Sequence, residues 1–440
     1  MSNVGSIFTG NVGASGLNRS GNVGRAYFET YTYPLLFDSL LTSFSALLTD
    51  LSATYTRAGT KHLRQGGVYV AYGANAFGTD LDPVDAEYGY YPETAATNIL
   101  TYSNDKSTAA YSRNEITVSA NSDTAFSPGM NSQKITPNGG NLRHYFKPGI
   151  LAGSGVLTCF SEIVKADGYR YLAIVRDAAF SDVDALVFDL QDGDIFQVGG
   201  DYQNEKIKSI GGGWYRVSFT CQTTDSAIRR PRWTVISNTP ATPVTANNSA
   251  FAGNGTSGIL FNNMQIETGG RASSPIITTS STVTRAADVL SLPRSSLTQL
   301  LDSQYALIAD YRTDIAPTTE QALVRLTNTT TYGEFAELKR TATLAESKVN
   351  SSTFVQADIT VANTSFTRSK LGLSAQLNNF SAAQDGVVIG TDVSGIMPIL
   401  PTVLEIGAFQ NVSQLNGHIY NLSIKNRALT QDQMVTETTL

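Results

Sequence analysis

The sequence predicts an all-β protein, and three observations carry that expectation. Charged residues are only 15% of the composition against 41% hydrophobic, with 37 glycines, a balance suited to short strands joined by turns. Apolar residues recur with a period of two in many strand-length runs, the pattern of sheets with one buried face. Gly, Asn, Ser and Thr separate those runs. At 440 residues the chain exceeds one ordinary core, so two tandem β-sandwiches are expected behind a flexible N-terminal segment and a short amphipathic helix.

The elements follow in chain order. Asn-Val-Gly recurs at Asn3-Val4-Gly5, Asn11-Val12-Gly13 and Asn22-Val23-Gly24 among Gly, Ser and Asn, too polar a stretch to order itself without a partner. From Pro34 the spacing changes: Phe37, Leu41, Phe44, Leu48 and Leu51 alternate steps of four and three, with Leu40 and Leu47 widening the stripe. That spacing predicts an amphipathic helix with Pro34 in its first turn, where a missing N–H costs nothing. Two heptads are too short to hold a coiled coil alone, so the stripe packs either on its own domain or on a neighbouring subunit. Residues 1–50 are therefore read as an attachment and oligomerisation segment.

Residues 51–290 form the expected first sandwich. In Trp214 to Cys221, Tyr215, Val217, Phe219 and Cys221 share one face, while Arg216, Ser218 and Thr220 share the other. Leu186 to Leu190 and Ile195 to Val198 flank Gln191-Asp192-Gly193-Asp194, a hairpin turned by Asp-Gly. Gly211-Gly212-Gly213 precedes a strand and reads as a turn, with no following Lys-Ser/Thr for a phosphate loop. Ser273 to Ser296, rich in Ser and Thr, reads as a connecting segment, with a boundary near Leu290. Residues 291–440 form the second sandwich, with strands at Tyr305–Tyr311, Leu371–Ala375, Val387–Gly390 and Val403–Gly407; one short helical turn is expected within Leu429–Leu440.

Composition also sets expectations about chemistry. A net charge of −6, with Arg229-Arg230-Pro231-Arg232 the one basic cluster, argues against a nucleic-acid groove. No run of about eighteen apolar residues suggests a membrane span, and the first residues lack the pattern of a secretory signal, so a soluble chain made in a cytoplasm is expected. Cys159 and Cys221 lie in strand-like runs and are read as buried free thiols. His62, His144 and His418 fall in different regions, with no His-Glu-x-x-His and no Gly-x-Ser-x-Gly elbow. No catalytic residue, metal or cofactor is assigned on that basis, and His418 is read as a strand residue. Asp182, Asp184, Asp189, Asp192 and Asp194 lack the spacing of a calcium loop and are read as turn aspartates.

Aromatics leave a binding hint, since sugars pack flat C–H faces on rings beside polar groups. Twenty tyrosines stand against two tryptophans. Trp214 is assigned to packing, whereas Tyr169-Arg170-Tyr171 and Arg232-Trp233, with ring and cation adjacent, are the ligand-binding candidates.

Tyr55-Thr56-Arg57-Ala58-Gly59-Thr60, Glu93-Thr94-Ala95-Ala96-Thr97-Asn98-Ile99-Leu100, Phe188-Asp189-Leu190, Gly213-Trp214-Tyr215-Arg216 and Thr284-Arg285-Ala286-Ala287-Asp288 occur in an order that resembles a family of bacteriophage virion proteins. Their middle region is similar to a carbohydrate-binding-module jelly roll. The closing Leu415-Asn416-Gly417-His418-Ile419, a second strand and then Asn426-Arg427-Ala428-Leu429 resemble concanavalin A-like, laminin-G-type sandwiches. The resemblance implies a tail, fibre or decoration protein of the virion, assembled in the host cytoplasm as a homotrimer, joined to other virion proteins through its N-terminus and presenting jelly rolls to host-surface polysaccharide. A purely structural decoration or baseplate component and a glycan depolymerase are the two rival readings.

Overall fold

A computed structural model describes residues 32–35, 52–120, 132–149, 154–175, 185–199, 202–222, 230–296, 303–314, 320–331, 333–363, 366–410 and 412–440. They form two jelly-roll-type β-sandwiches of antiparallel sheets, as the composition predicts. No helix among the described residues is long and apolar enough to cross a membrane.

In the first sandwich, one sheet runs in the order Gln203–Gly211, Trp214–Cys221, Thr158–Asp167, Gly258–Thr268, Gln133–Pro137, Ile116–Ser119. The facing sheet runs Asp194–Gln197, Leu186–Asp189, Tyr171–Val175, Arg232–Val235, His144–Pro148, Tyr111–Asn114. Sequence-distant strands are neighbours in both, so neither sheet can form from local hairpins alone. In the central strand Gly258–Thr268 the core residues switch parity, from Ile259 and Phe261 to Met264 and Ile266. The switch coincides with a register shift against Thr158–Asp167 between Ser161 and Ile163, and with Asn263 at φ 26°. A bulge inserts one residue and so reverses which face the following side chains meet.

The expected local patterns hold here. Leu186–Asp189 pairs with Asp194–Gln197 about Gly193 (φ 73°), and Gly211, Gly212 and Gly213, all at positive φ, turn the chain into Trp214–Cys221. Val217, Phe219 and Cys221 enter the core, with Tyr215 packed against it. Trp214 is buried on the opposite face, with Tyr69, Ile163, Ile210 and Leu260. Both cysteines are buried, and neither is in a disulfide.

The second sandwich faces one sheet, Thr32–Leu35, Gly417–Lys425, Gln304–Thr313, Ser369–Gln376, Asn379–Gln384, Val387–Asp392, against another, Thr54–Thr56, Val289–Pro293, Val403–Ile406, Gln321–Thr327, Phe335–Arg340, Leu344–Ser351, Phe354–Ala362. Tyr305, Leu307, Leu371, Leu373, Ile419 and Leu422 meet Leu290, Leu292, Leu326, Leu338, Leu404 and Ile406 between the sheets. The C-terminal turn is a helix, Gln431–Thr438, opened by a capping box between Thr430 and Gln433. Its buried Met434 covers Gly372, where a Cβ would stand 2.7 Å from the Met434 methyl, so a side chain there would force that methyl to move.

Three expectations are revised. Pro34 is not in a helical turn: Thr32–Leu35 is an edge strand paired with Gly417–Lys425, Pro34 opposite Ser423, and an edge is where a sheet tolerates a residue without an N–H. Phe37, Leu41, Phe44, Leu48 and Leu51 lie outside the described residues. The boundary placed at Leu290 falls inside a strand of the second sandwich, Val289–Pro293, which also pairs with Thr54–Thr56, so the chain enters that sandwich before it builds the first. The closing strand starts at Gly417 and continues unbroken to Lys425, because Asn416 at φ 52° is the turn that precedes it.

Between the sandwiches, residues 57–100 add two small hairpins, Lys61–Gln65 with Val68–Tyr72 and Asp80–Leu81 with Tyr88–Gly89. Beneath them lies a buried charge cluster. Lys61 Nζ is 2.5 Å from Asp288 Oδ2 and 3.2 Å from Glu93 Oε2. Arg285 approaches Glu93 at 3.5 Å and Asp288 at 3.7 Å, and Arg57 approaches Asp288 at 3.5 Å. The Tyr55 hydroxyl donates to Asp288 Oδ1 at 2.5 Å and accepts from Arg57 Nη1 at 2.6 Å. Amides of Ser274 and Glu93 donate to Glu93 Oε1 and Asp288 Oδ2. Burial alone pushes the Glu93 carboxyl up, but Arg285, Lys61 and Arg271 outweigh it and hold the group well below the usual carboxylate range.

Removing one carboxylate strands several buried cations. Asp288→Asn is expected to cost about 3–5 kcal/mol in denaturant unfolding, and an effect under about 1 kcal/mol would show that the cluster does not hold the fold. Because the folded Glu93 group titrates below its ordinary value of 4.5, its contribution is present above about pH 4.5 and is lost as pH falls. Thermal midpoints should therefore fall below that pH, and more shallowly in Glu93→Gln.

Candidate functional site

The hairpins, the first sandwich and the second sandwich together wall a cleft of about 520 Å³ at their junction. That size is ordinary for a small-ligand site. One wall is the strand Gln203–Gly211, where Lys206 and Lys208 point the same way, and its partner Trp214–Cys221, where Arg216 stands directly across from Lys208. Like charges facing each other on a sheet repel. Asp314, arriving from the second sandwich, relieves that repulsion: its Oδ2 is 3.5 Å from Lys208 Nζ, and its carbonyl accepts from Lys206 Nζ at 3.0 Å. Burial pushes the Asp314 carboxyl up, yet Lys208, His418 and Arg64 bring it down to about 2, so it is ionised at neutral pH.

The remaining cations of the cleft are not alike. Arg64 is locked bidentate onto Asp80, and Arg312 lies 3.2 Å from Asp85 and 3.7 Å from Asp82. Arg271 donates to Thr94 Oγ1 at 2.9 Å and reaches Glu93 at 3.7 Å. Lys206 and Arg216 face no carboxylate within ion-pair distance among the described residues: Arg216 donates to Ser161 Oγ at 3.1 Å, and Lys206 Nζ sits 5.5 Å from the Phe366 ring centroid. Phe366 is 46% exposed and has φ 65°, a left-handed conformation unfavourable for a bulky side chain. Strain of this kind is kept only where surrounding structure enforces it, and it concentrates at ligand sites.

The five ligand candidates read from the sequence lie elsewhere, in the first sandwich, and do not converge. Trp233 is wholly buried, stacked on Phe146 and 5.7 Å from Phe219, so no ring face is open to a ligand. Tyr169 packs on Phe251 and its hydroxyl accepts from the Asn254 amide. Tyr171 is buried against Phe196, with the Arg170 guanidinium 5.1 Å above it. Arg170 is bidentate to Asp189 and also pairs with Asp192. Arg232 stacks 4.8 Å over Tyr145. Tyr171 starts the strand on which Val175 faces Arg232, which separates the two groups by four residues, about 13 Å. At Arg232-Trp233 the adjacent ring and cation mark a strand that alternates faces.

The turn-aspartate reading holds for Asp189, whose Oδ1 accepts the Gln191 and Asp192 amides. Asp182 and Asp184 lie outside the described residues. His62 and His144 are occupied by backbone carbonyls, of Pro275 and of Glu115 and Phe251. His418 is a strand residue as expected, but it sits among carboxylates, with Nε2 3.0 Å from Asp80 Oδ2 and Nδ1 3.4 Å from Asp82 Oδ2. The same-face pair Lys206 and Lys208, followed by Arg216 after the glycine turn, was the sequence signal for the cleft.

No protein-family model matches the chain, and no curated protein matches it. Among solved structures, it is similar to the CBM40 module of the Ruminococcus gnavus IT-sialidase bound to α2,3-sialyllactose, at 15% identity over 33% of this chain and 87% of that one, with a TM-score of 0.29. It is also similar to domain 4 of AbnA, a GH43 extracellular arabinanase of Geobacillus stearothermophilus in complex with arabinotriose, at 14% identity over 35% and 73%, with a TM-score of 0.29. The NanB sialidase of Streptococcus pneumoniae matches at 15% identity over 33% of this chain and 26% of its own, TM-score 0.28. The architecture described above rests on strand pairing.

If Trp233 is core, Trp233→Ala should cost about 3–5 kcal/mol in chemical denaturation. Unchanged stability would return the ring to the list of surface candidates.

Proposed function

We propose that the chain is a non-enzymatic phage virion component that binds an acidic host-surface polysaccharide in the junction cleft. The observation that carries the binding reading is the mouth of that cleft, where an exposed, strained Phe366 lies beside Lys206, with Arg216 in the same cleft. A ring offers a face for sugar C–H groups, and ammonium and guanidinium groups supply hydrogen bonds to carboxylates. The virion assignment rests on the ordered sequence motifs, as do the N-terminal attachment to other virion proteins and the homotrimer. In a trimer, weak single sites gain strength through avidity.

A ring stacked on a ligand contributes about 0.5–1.5 kcal/mol, so Phe366→Ala should weaken monovalent binding by up to about tenfold. Lys206→Ala should weaken it by about tenfold or more, since hydrogen bonds to charged groups are worth about 1.5–3 kcal/mol. Both side chains are exposed, so thermal unfolding should not change. The measurement is a host-glycan array together with adsorption to whole cells. Unchanged binding in both variants would favour the purely structural decoration reading. Release of reducing ends from host capsule, abolished by one carboxylate substitution, would favour the depolymerase.

A further inference from the structure

Beside the cleft, which Asp314 lines, Asp82, Asp314 and His418 bring one ligand atom each to within 4.8 Å of one another. Asp82 comes from the second small hairpin, Asp314 from the end of the strand Gln304–Thr313, and His418 from the closing strand. We propose that these three side chains form a binding site for a divalent metal ion of the zinc or manganese class.

The histidine carries the argument. Asp80 is held ionised by the bidentate Arg64, and its Oδ2 lies 3.0 Å from His418 Nε2, so Nε2 bears the proton of that hydrogen bond. The other nitrogen, Nδ1, is fully buried and has no hydrogen-bond partner among the described residues, although Asp82 Oδ2 stands 3.4 Å away. That buried, unpartnered nitrogen faces the Asp82 carboxylate, and a cation seated between them would satisfy both. A ligating histidine whose second nitrogen donates to a carboxylate is the usual outer-shell arrangement of a metal centre.

The carboxylates are braced in the same manner. The Tyr420 hydroxyl donates to Asp82 Oδ2 at 2.7 Å, and the Tyr91 hydroxyl donates to Asp314 Oδ2 at 2.9 Å. In a tetrahedral site, bonds of about 2.0–2.2 Å hold ligand atoms about 3.3–3.6 Å apart, so closing the site requires side-chain shifts of up to about an ångström. One imidazole and two carboxylates suit zinc or manganese better than calcium, which takes oxygen ligands. Three protein ligands leave a fourth position for water on a tetrahedral ion. Arg312 and Lys208 approach the same carboxylates at 3.7 and 3.5 Å and would remain as outer-sphere charges.

The test does not involve a glycan, so it stands or falls apart from the polysaccharide reading. Full-length protein stripped with a chelator is titrated with zinc, manganese, cobalt and calcium chlorides by calorimetry. One equivalent of zinc or manganese should bind, cobalt should give visible d–d bands, and X-ray absorption on the zinc form should show one imidazole with oxygen ligands. Asp314→Asn, which keeps the shape of the side chain and removes its charge, is expected to lower affinity at least tenfold. His418→Gln should abolish the imidazole signature, and thermal unfolding of each variant checks its fold. No saturable binding at millimolar metal, equal affinity in folded Asp314→Asn, or calcium binding in place of zinc would overturn the site. A doubly protonated His418 ring by ¹⁵N NMR that does not respond to zinc would overturn it as well.

Discussion

The rest of the structure depends on the neutralisation of two buried carboxylates, Glu93 and Asp288. Ionised groups taken out of water lose several kcal/mol each unless partners restore the interaction. Here the partners come from distant parts of the chain: Arg57 and Lys61 from its entry into the junction, Arg271 and Ser274 from the segment leaving the first sandwich, and Arg285 from the short strand Val283–Arg285. A shifted docking of that segment would leave charges unpaired in a low-dielectric interior. The cluster therefore acts on placement more than on net stability, and it fixes where the two cores sit relative to each other.

That placement creates the cleft. Once the junction is fixed, Asp314 is carried against the cationic strands of the first sandwich, and Tyr91 is set between Lys61 and His418, 5.3 Å from the ammonium and 4.6 Å from the imidazole centroid. Neither sandwich has the site alone. Lys206, Lys208 and Arg216 belong to the first, Asp314 and His418 to the second, and Asp80 and Asp82 to the hairpin between them.

The all-β class, the Asp-Gly hairpin and the faces of Trp214–Cys221 were legible because each is a local pattern of period two or a turn that needs positive φ. The ordered motifs were legible as strings, but their meaning was not. Tyr55 and Arg57, Glu93, and Arg285 with Asp288 are separated by up to 233 residues and meet in one buried cluster, a contact that no spacing rule encodes. The boundary at Leu290 was misplaced for a related reason: Ser and Thr enrichment marked a linker, while the alternation of Leu290 and Leu292 on one face marked a strand. The aromatic candidates failed for two reasons: Trp233 points to the buried side of a strand away from Arg232, and Arg170, although it lies over Tyr171, covers a buried ring and is already paired with Asp189 and Asp192.

The three histidines show the limit of motif reasoning in another way. Metal ligands on helices carry recognisable spacing, because one helical face brings side chains three or four residues apart together. Ligands gathered from three strand ends carry no spacing, since their separations are set by topology. Asp314 and His418 meet because the strands Gln304–Thr313 and Gly417–Lys425 pair, whereas Asp82 is separated from both by the whole first sandwich and reaches them from the hairpin at the junction. The same docking sets Lys208 and Arg312 beside those carboxylates, so the fixed cations of the cleft and these three side chains belong to one arrangement of charge that neither sandwich holds alone.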